Sequence, residues 1–228
     1  MIDQKACYKK PDALNLNLIY NEMKSHFGFL NWWPGDTKLE IVLGAILTQQ
    51  TSWKNVEKAI NKMKQNNAMD FDYISACDLK NLEKRINNVS FYKQKARYIK
   101  NIFQFIKTRY GSLENLFKLD KKELRKTLLS MNGIGNETAD SIILYAANKK
   151  KFVIDAYTKR VMHRIFGIDK NIKYEKLQEY FENNLKNNLS LYKDFHAQFV
   201  ELGKNYCRTK PFCINCPLNK MCKKSNIL

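Results

Sequence analysis

The chain has 228 residues, and its 40 Lys and Arg against 22 Asp and Glu give a formal net charge of +18. That length can bury a sizeable core but excludes two large domains, leaving one large or two small intertwined ones. The basic excess favours a polyanionic partner, nucleic acid first, although a Lys- and Asn-rich composition also produces a solvated basic face by itself.

From residue 27 the stretch FGFLNWWPGDTKLEIVLGAILTQQTSW places adjacent tryptophans, Trp32 and Trp33, ahead of a helix predicted over 39–49. A Thr48-Gln49-Gln50-Thr51 turn and Trp53 follow. Apolar residues recurring at helical spacing predict further helices over 53–64, 95–110 and 121–131. FYKQKA at 91–96 carries Lys93 and Lys95, suited either to phosphate contact or to plain solvation. ETADSIILYAA, TKRVMHRIFG and YEKLQEYFENNL read as later helices, and only KKFVID at 150–155 has a short β-like run, so the fold class is all-α. Neither a repeat nor a Gly/Ser linker separates independent beads. The start, MIDQKACYKK, lacks an apolar h-region, and no stretch approaches the roughly 18 apolar residues of a membrane span. A soluble cytoplasmic protein with no membrane partner is expected.

LLSMNGIGNETADSIILYA reads as helix, tight turn, helix. Gly133 and Gly135 are free to take backbone angles that other residues resist, and without side chains they let an anion approach the N–H groups and positive dipole end of the helix starting near Asn136. A DNA phosphate suits that position; an ordinary helical hairpin turn would look the same locally. At the other end, CRTKPFCINCPLNKMC spaces Cys207, Cys213, Cys216 and Cys222 as Cys-x5-Cys-x2-Cys-x5-Cys. Four thiols so close indicate a metal centre, and spacing alone permits zinc or a cubane iron–sulfur cluster.

The stretch from Leu128 to Arg164 resembles the helix-hairpin-helix, glycine loop and Asp signature of the HhH-GPD DNA glycosylase superfamily that includes endonuclease III. The resemblance implies that Asp155, in VIDAYTKRV, is catalytic, stabilising the oxocarbenium ion and positioning or deprotonating water; read locally, the same Asp is a helix N-cap. The Lys of bifunctional members falls on Glu137. A carboxylate cannot form the imine through which strand cleavage proceeds, so β-elimination by that route is expected to be weak or absent.

WWP, GAILTQQTSW, FYKQKA, GIGNETAD and VIDAY together look most like the bacterial 3-methyladenine glycosylase branch. Trp32, Trp33 and Trp53 then line the base site, where a cationic alkylated purine stacks on indole faces, with Tyr157 and Lys204 as further candidate walls. The resemblance gives Gln49 or Gln50 the gap left by a flipped nucleotide. It lets Glu137 attract the cationic base; a first-turn partner of the helix dipole is the alternative. The cysteine spacing, followed by CP after the third Cys, resembles the [4Fe–4S] loop of endonuclease III relatives, one residue shorter in its first interval, with zinc as the alternative. Arg208 and Lys210 lie inside that loop and suit phosphate contact.

The resemblance thus implies a monomer of two helical domains flanking a DNA cleft: 31–150 with the hairpin, and 1–30 plus 151–228 with Asp155 and the cluster loop at 206–223. It implies a monofunctional, nucleoid-associated DNA glycosylase acting on double-stranded DNA with a damaged base, an alkylated purine such as 3-methyladenine. The alternatives are an endonuclease III-like glycosylase/lyase acting on oxidised pyrimidines, and a non-catalytic iron–sulfur DNA-binding protein.

Overall fold

Short polar side chains set the helix starts of the computed structural model, which describes residues 16–30 and 32–223. Thr37, Asp70, Asp78, Ser112, Asp120 and Asp155 each accept a backbone N–H from the first turn that follows them, satisfying donors that a helix N-terminus leaves open. The helices among the described residues are α1 (Leu16–Phe27), α2 (Lys38–Leu47), α3 (Trp53–Gln65), α4 (Phe71–Ala76), α5 (Leu79–Arg85), α6 (Tyr92–Tyr110), α7 (Leu113–Lys118), α8 (Lys121–Leu129), α9 (Asn136–Ser141), α10 (Ala156–Phe166), α11 (Tyr174–Asn184) and α12 (Leu189–Asn205). A π-helical segment, Ile142–Ala146, continues α9.

No described residue forms a strand, and the β-like run at 150–155 is an irregular connection into α10. Its apolar character has another cause: Phe152, Val153 and Ile154 are all buried, and a buried connecting segment has the same composition as a short strand. Among the described residues no helix is long and apolar enough to cross a membrane.

The chain divides into two compact units. The hairpin unit comprises 32–153 and 188–193. Its core joins Leu43, Ile46 and Leu47 of α2 to Ile99 and Phe103 of α6 and to Ile142 and Ile143. Segment 188–193 belongs with it because Tyr192 meets Phe152 edge-on at 5.5 Å and the Lys193 carbonyl accepts the Tyr145 hydroxyl at 3.1 Å.

The cysteine unit comprises, among the described residues, 16–30, 154–187 and 194–223; residues 1–15 of the expected N-terminal contribution lie outside the described residues. Phe195 and Phe199 of α12 stack at 4.8 Å, and Phe181 of α11 meets both edge-on. Such pairs add about 0.5–1.5 kcal/mol each beyond the area they bury. Buried Asp194 accepts the Tyr20 hydroxyl and the Leu30 N–H, each at 2.7 Å, fixing the end of the α1 segment onto α12.

Candidate functional site

In the hairpin, Gly133 and Gly135 differ. Gly133 has φ +92°, and a Cβ there would lie 2.4 Å from the Tyr98 ring, so glycine is required twice over. Gly135 is in ordinary extended backbone (φ −95°, ψ −178°), and a Cβ there would meet nothing within 4 Å. The expectation of unusual backbone angles at both therefore holds only for Gly133. What Gly135 supplies is a side-chain-free approach to the start of α9, because the N-cap position itself carries no side chain. Arg125 of α8 clamps the hairpin, donating to both carboxylate oxygens of fully buried Asp140 and to Asn136 Oδ1. Glu137 stands exposed in the first turn of α9.

The two candidate glutamines also separate. Gln49 is committed to the fold: its Nε2 donates to the Gly133 carbonyl at 2.9 Å and Thr138 Oγ1 at 3.0 Å, tying the turn after α2 to the hairpin. Gln50 is exposed, with φ +51° in the left-handed region. Phe91, at the start of α6, has φ +56° and is 61 % exposed, although it is a large apolar side chain. Lys93 is exposed, whereas Lys95 is buried and bonded to the last carbonyl of α2 and two oxygens of the glutamine turn, so it is neither solvated nor available to a phosphate.

The three tryptophans form one cluster with a fourth ring, Tyr145. Trp33 lies 5.2 Å from Trp32, 5.9 Å from Trp53 and 4.9 Å from Tyr145, centroid to centroid. Gly44 of α2 lies beneath, and a Cβ there would come into contact at 3.4 Å with both Trp33 and Trp53. Tyr145 sits in the π-helical segment, and such wide turns re-aim side chains and recur at functional sites. The three tryptophans are only partly buried.

In the cysteine unit Asp155 is the N-cap of α10 and is buried. Its Oδ1 accepts from the Thr158 N–H at 2.6 Å and the Thr158 hydroxyl at 2.7 Å, while Oδ2 stands 3.7 Å from Nε2 of buried His196. Burial by itself would raise the Asp155 pKa, but His196 and the two Thr158 donors outweigh it and hold the carboxyl below its usual value. The cap and the catalytic assignment are thus compatible, because one oxygen serves the helix and the other does not. Tyr157 is packed on Gly203, where a Cβ would lie 2.2 Å from its ring, and under Arg160, whose guanidinium carbon is 5.1 Å from the ring centroid. Lys204 is on the exposed side of α12, 3.2 Å from Glu201 Oε1.

Cys207, Cys213, Cys216 and Cys222 line one small pocket of about 20 Å³. Buried Arg164 braces it: its guanidinium donates to Cys207 Sγ at 3.3 Å and to the carbonyls of Arg208 and Thr209 at 2.6 and 3.1 Å. The loop backbone is thereby pinned while the Arg208 and Lys210 side chains stay exposed. Among the described residues, no three His, Cys, Asp or Glu side chains are gathered as a site for one metal ion.

Residues 43–187 match the model of the HhH-GPD superfamily of base excision DNA repair proteins. A protein of Methanocaldococcus jannaschii, provisionally named a DNA repair glycosylase, is 46 % identical over 206 residues, covering 90 % of this chain and 94 % of that protein. The chain belongs to the HhH-GPD superfamily. It is a DNA N-glycosylase. Among solved structures, an H. pylori 3-methyladenine DNA glycosylase bound to 1,N6-ethenoadenine is 28 % identical with TM-score 0.73, over 84 % of this chain and 98 % of that one. A non-covalent endonuclease III–DNA complex shares the fold at 18 % identity, with TM-score 0.78 over 92 % of this chain and 94 % of that one.

Within this HhH-GPD chain the residues missed by sequence reasoning are Tyr145, Phe91 and Arg164. Tyr145 looks like one more apolar position of IILYA, and only the π-helical geometry turns it onto Trp33. Phe91 carried a signal, an aromatic directly before a basic helix. Arg164 falls in a helix already rich in basic residues, and its sequence neighbours do not reveal the cysteine loop it holds.

Proposed function

We propose that this HhH-GPD glycosylase is monofunctional: it turns a damaged base out of double-stranded DNA and hydrolyses the glycosidic bond, with a cationic alkylated purine such as 3-methyladenine as substrate class. The observation that carries the substrate class is the cluster of Trp32, Trp33, Trp53 and Tyr145. Electron-rich ring faces attract a cationic base more than a neutral one, and a weakly paired lesion costs less to unstack. The likeness to the H. pylori enzyme supports the same class.

Each remaining role follows from side-chain chemistry. The start of α9, approached past the side-chain-free Gly135, seats a phosphate, and exposed Gln50 and Phe91 enter the duplex where the base has left. As the C1′–N bond breaks, its electron pair leaves with the base; a cationic purine departs neutral and needs no proton. Asp155, ionised at neutral pH, stabilises the positive sugar, and water adds to C1′ while its proton passes to Asp155 Oδ2 or to solvent. The product is an abasic site. Glu137, at the position of the amine of strand-cutting relatives, offers no nitrogen for an imine.

The test is a panel of duplexes carrying 3-methyladenine, 7-methylguanine, oxidised pyrimidines or mismatches, with base release and strand nicking scored separately. Release of alkylated purines without nicking is expected. Borohydride trapping of a covalent protein–DNA adduct, or preferential release of oxidised pyrimidines, overturns the proposal.

Cys207, Cys213, Cys216 and Cys222 are assigned as ligands of a [4Fe–4S] cluster. The donor set fits: four thiols line one pocket, enough for one cysteine per iron. When bound, the cluster crosslinks the loop and contributes folding free energy; base removal requires no electron from it. The purified protein is expected to be brown, with about four irons per chain, and Cys216→Ser to lose both colour and thermal stability. Stoichiometric zinc without iron would refute the assignment.

A further inference from the structure

Lys95 projects from α6 and is 4 % exposed. Its Nζ donates to the Leu47 carbonyl at 2.8 Å, the Gln49 carbonyl at 2.6 Å and Thr51 Oγ1 at 2.9 Å. An ammonium has three donors and no acceptor, so its hydrogen-bonding capacity is filled by this one turn. The carbonyls it meets lie at and just beyond the C-terminus of α2, where a helix leaves carbonyls unsatisfied and presents a partial negative charge.

Thr51 extends the connection. Its hydroxyl also accepts the Ser90 N–H at 3.1 Å, so the turn at 48–51 and the residues leading into α6 share one hydrogen-bonded centre. The same two places present Gln50 and Phe91, both exposed and both in left-handed backbone, with φ +51° and +56°. Non-glycine residues rarely adopt that conformation, and it persists where surrounding structure over-determines it. A buried ammonium is costly unless every donor is used. Two strained, exposed side chains held by one buried charge form an arrangement for which core packing offers no reason.

We propose that Lys95 is a positioning residue for lesion recognition: its ammonium fixes the Gln50 turn and the Phe91 segment as one rigid unit and makes no DNA contact of its own. The inference rests on the reading of this chain as a base-flipping enzyme. Rigidity matters because inserting two side chains into a duplex is favourable only if their ordering has been achieved before DNA arrives.

The experiment compares wild type, Lys95→Met and Lys95→Arg as full-length holoproteins under single-turnover conditions. Two duplexes carry the lesion that wild type releases fastest, one with the lesion paired and one with it opposite an abasic analogue. Lys95→Met is expected to slow release from the paired lesion at least about tenfold but from the unpaired lesion less than about threefold, since an unpaired base is already cheap to extrude. Lys95→Arg retains the charge and is expected to restore most of the loss. Affinity for undamaged duplex and its salt slope are expected to change less than about threefold, because the substitution removes no group that contacts a phosphate.

Equal losses on both duplexes, or none, would overturn the proposal. Should Lys95→Met fail to fold, Thr51→Val removes the shared hydroxyl and must show the same paired-versus-unpaired split; a uniform loss or no loss counts against it. Fluorescence of 2-aminopurine placed beside the lesion separates this inference from the catalytic one. A wild-type rise that Lys95→Met lacks, with no base released by either, sinks hydrolysis but leaves Lys95 its role. No wild-type rise at all sinks both.

Discussion

Asp155→Asn is expected to slow base release by about 10²–10⁴-fold in single-turnover assays while duplex affinity changes less than about threefold, the range that a positioned acid–base group contributes. Asn is the informative replacement because its side-chain oxygen can still accept from Thr158, preserving the cap of α10 that Asp155 Oδ1 now provides. What it loses is the negative charge beside His196 and any capacity to take a proton from water. Full base release by Asp155→Asn would remove Asp155 from the mechanism. The lowered pKa of Asp155 adds a second readout. A carboxyl depressed on folding stabilises the fold above its unfolded value, about 3.9 for Asp, and that contribution is lost as pH falls through the lower folded value. Asp155 is therefore ionised throughout the neutral range, and acid unfolding followed by circular dichroism should be steeper for wild type than for Asp155→Asn below about pH 4.

The long amphipathic helices were legible because each runs through enough turns to display a period, as α3, α6 and α8 do. Helices α4, α5 and α7 span six or seven residues each, under two turns, and leave no period to read. DFHAQFVELGKNYC reads as a helix ahead of the cysteines, but the burial of Asp194, His196 and Gln198 within α12 was not legible, because polar positions normally mark an exposed face. The candidate site divides along similar lines. Which residue types belong to it was readable from MNGIGNETAD, VIDAY and the four cysteines, but which member of each pair acts was not. Gln49 and Gln50 are adjacent and chemically identical, and only the bond from Gln49 to the Gly133 carbonyl assigns one inward and leaves the other exposed. Lys95 looked like any surface lysine because its acceptors are carbonyls, which leave no trace in side-chain composition.

Gly133→Ala and Gly135→Ala are expected to part company, although the two residues look equivalent in sequence. A methyl at Gly133 must enter the Tyr98 ring at 2.4 Å from a backbone with φ +92°. Left-handed strain and overpacking each cost about 1–3 kcal/mol, and the displaced carbonyl also holds Gln49. A combined loss of about 3 kcal/mol lowers the melting temperature by about 6–12 °C in a chain of this size, and duplex affinity should fall with it because the hairpin itself moves. Gly135→Ala meets no atom within 4 Å and needs no unusual angle, so its melting temperature should match wild type. Only a ligand can sense that methyl. A phosphate drawn to the N-terminus of α9 would be pushed away, reducing duplex affinity about tenfold and lowering the salt slope by about one. If Gly135→Ala binds duplex with wild-type affinity and slope, the hairpin does not seat a phosphate there, and the basic surface must grip the backbone elsewhere.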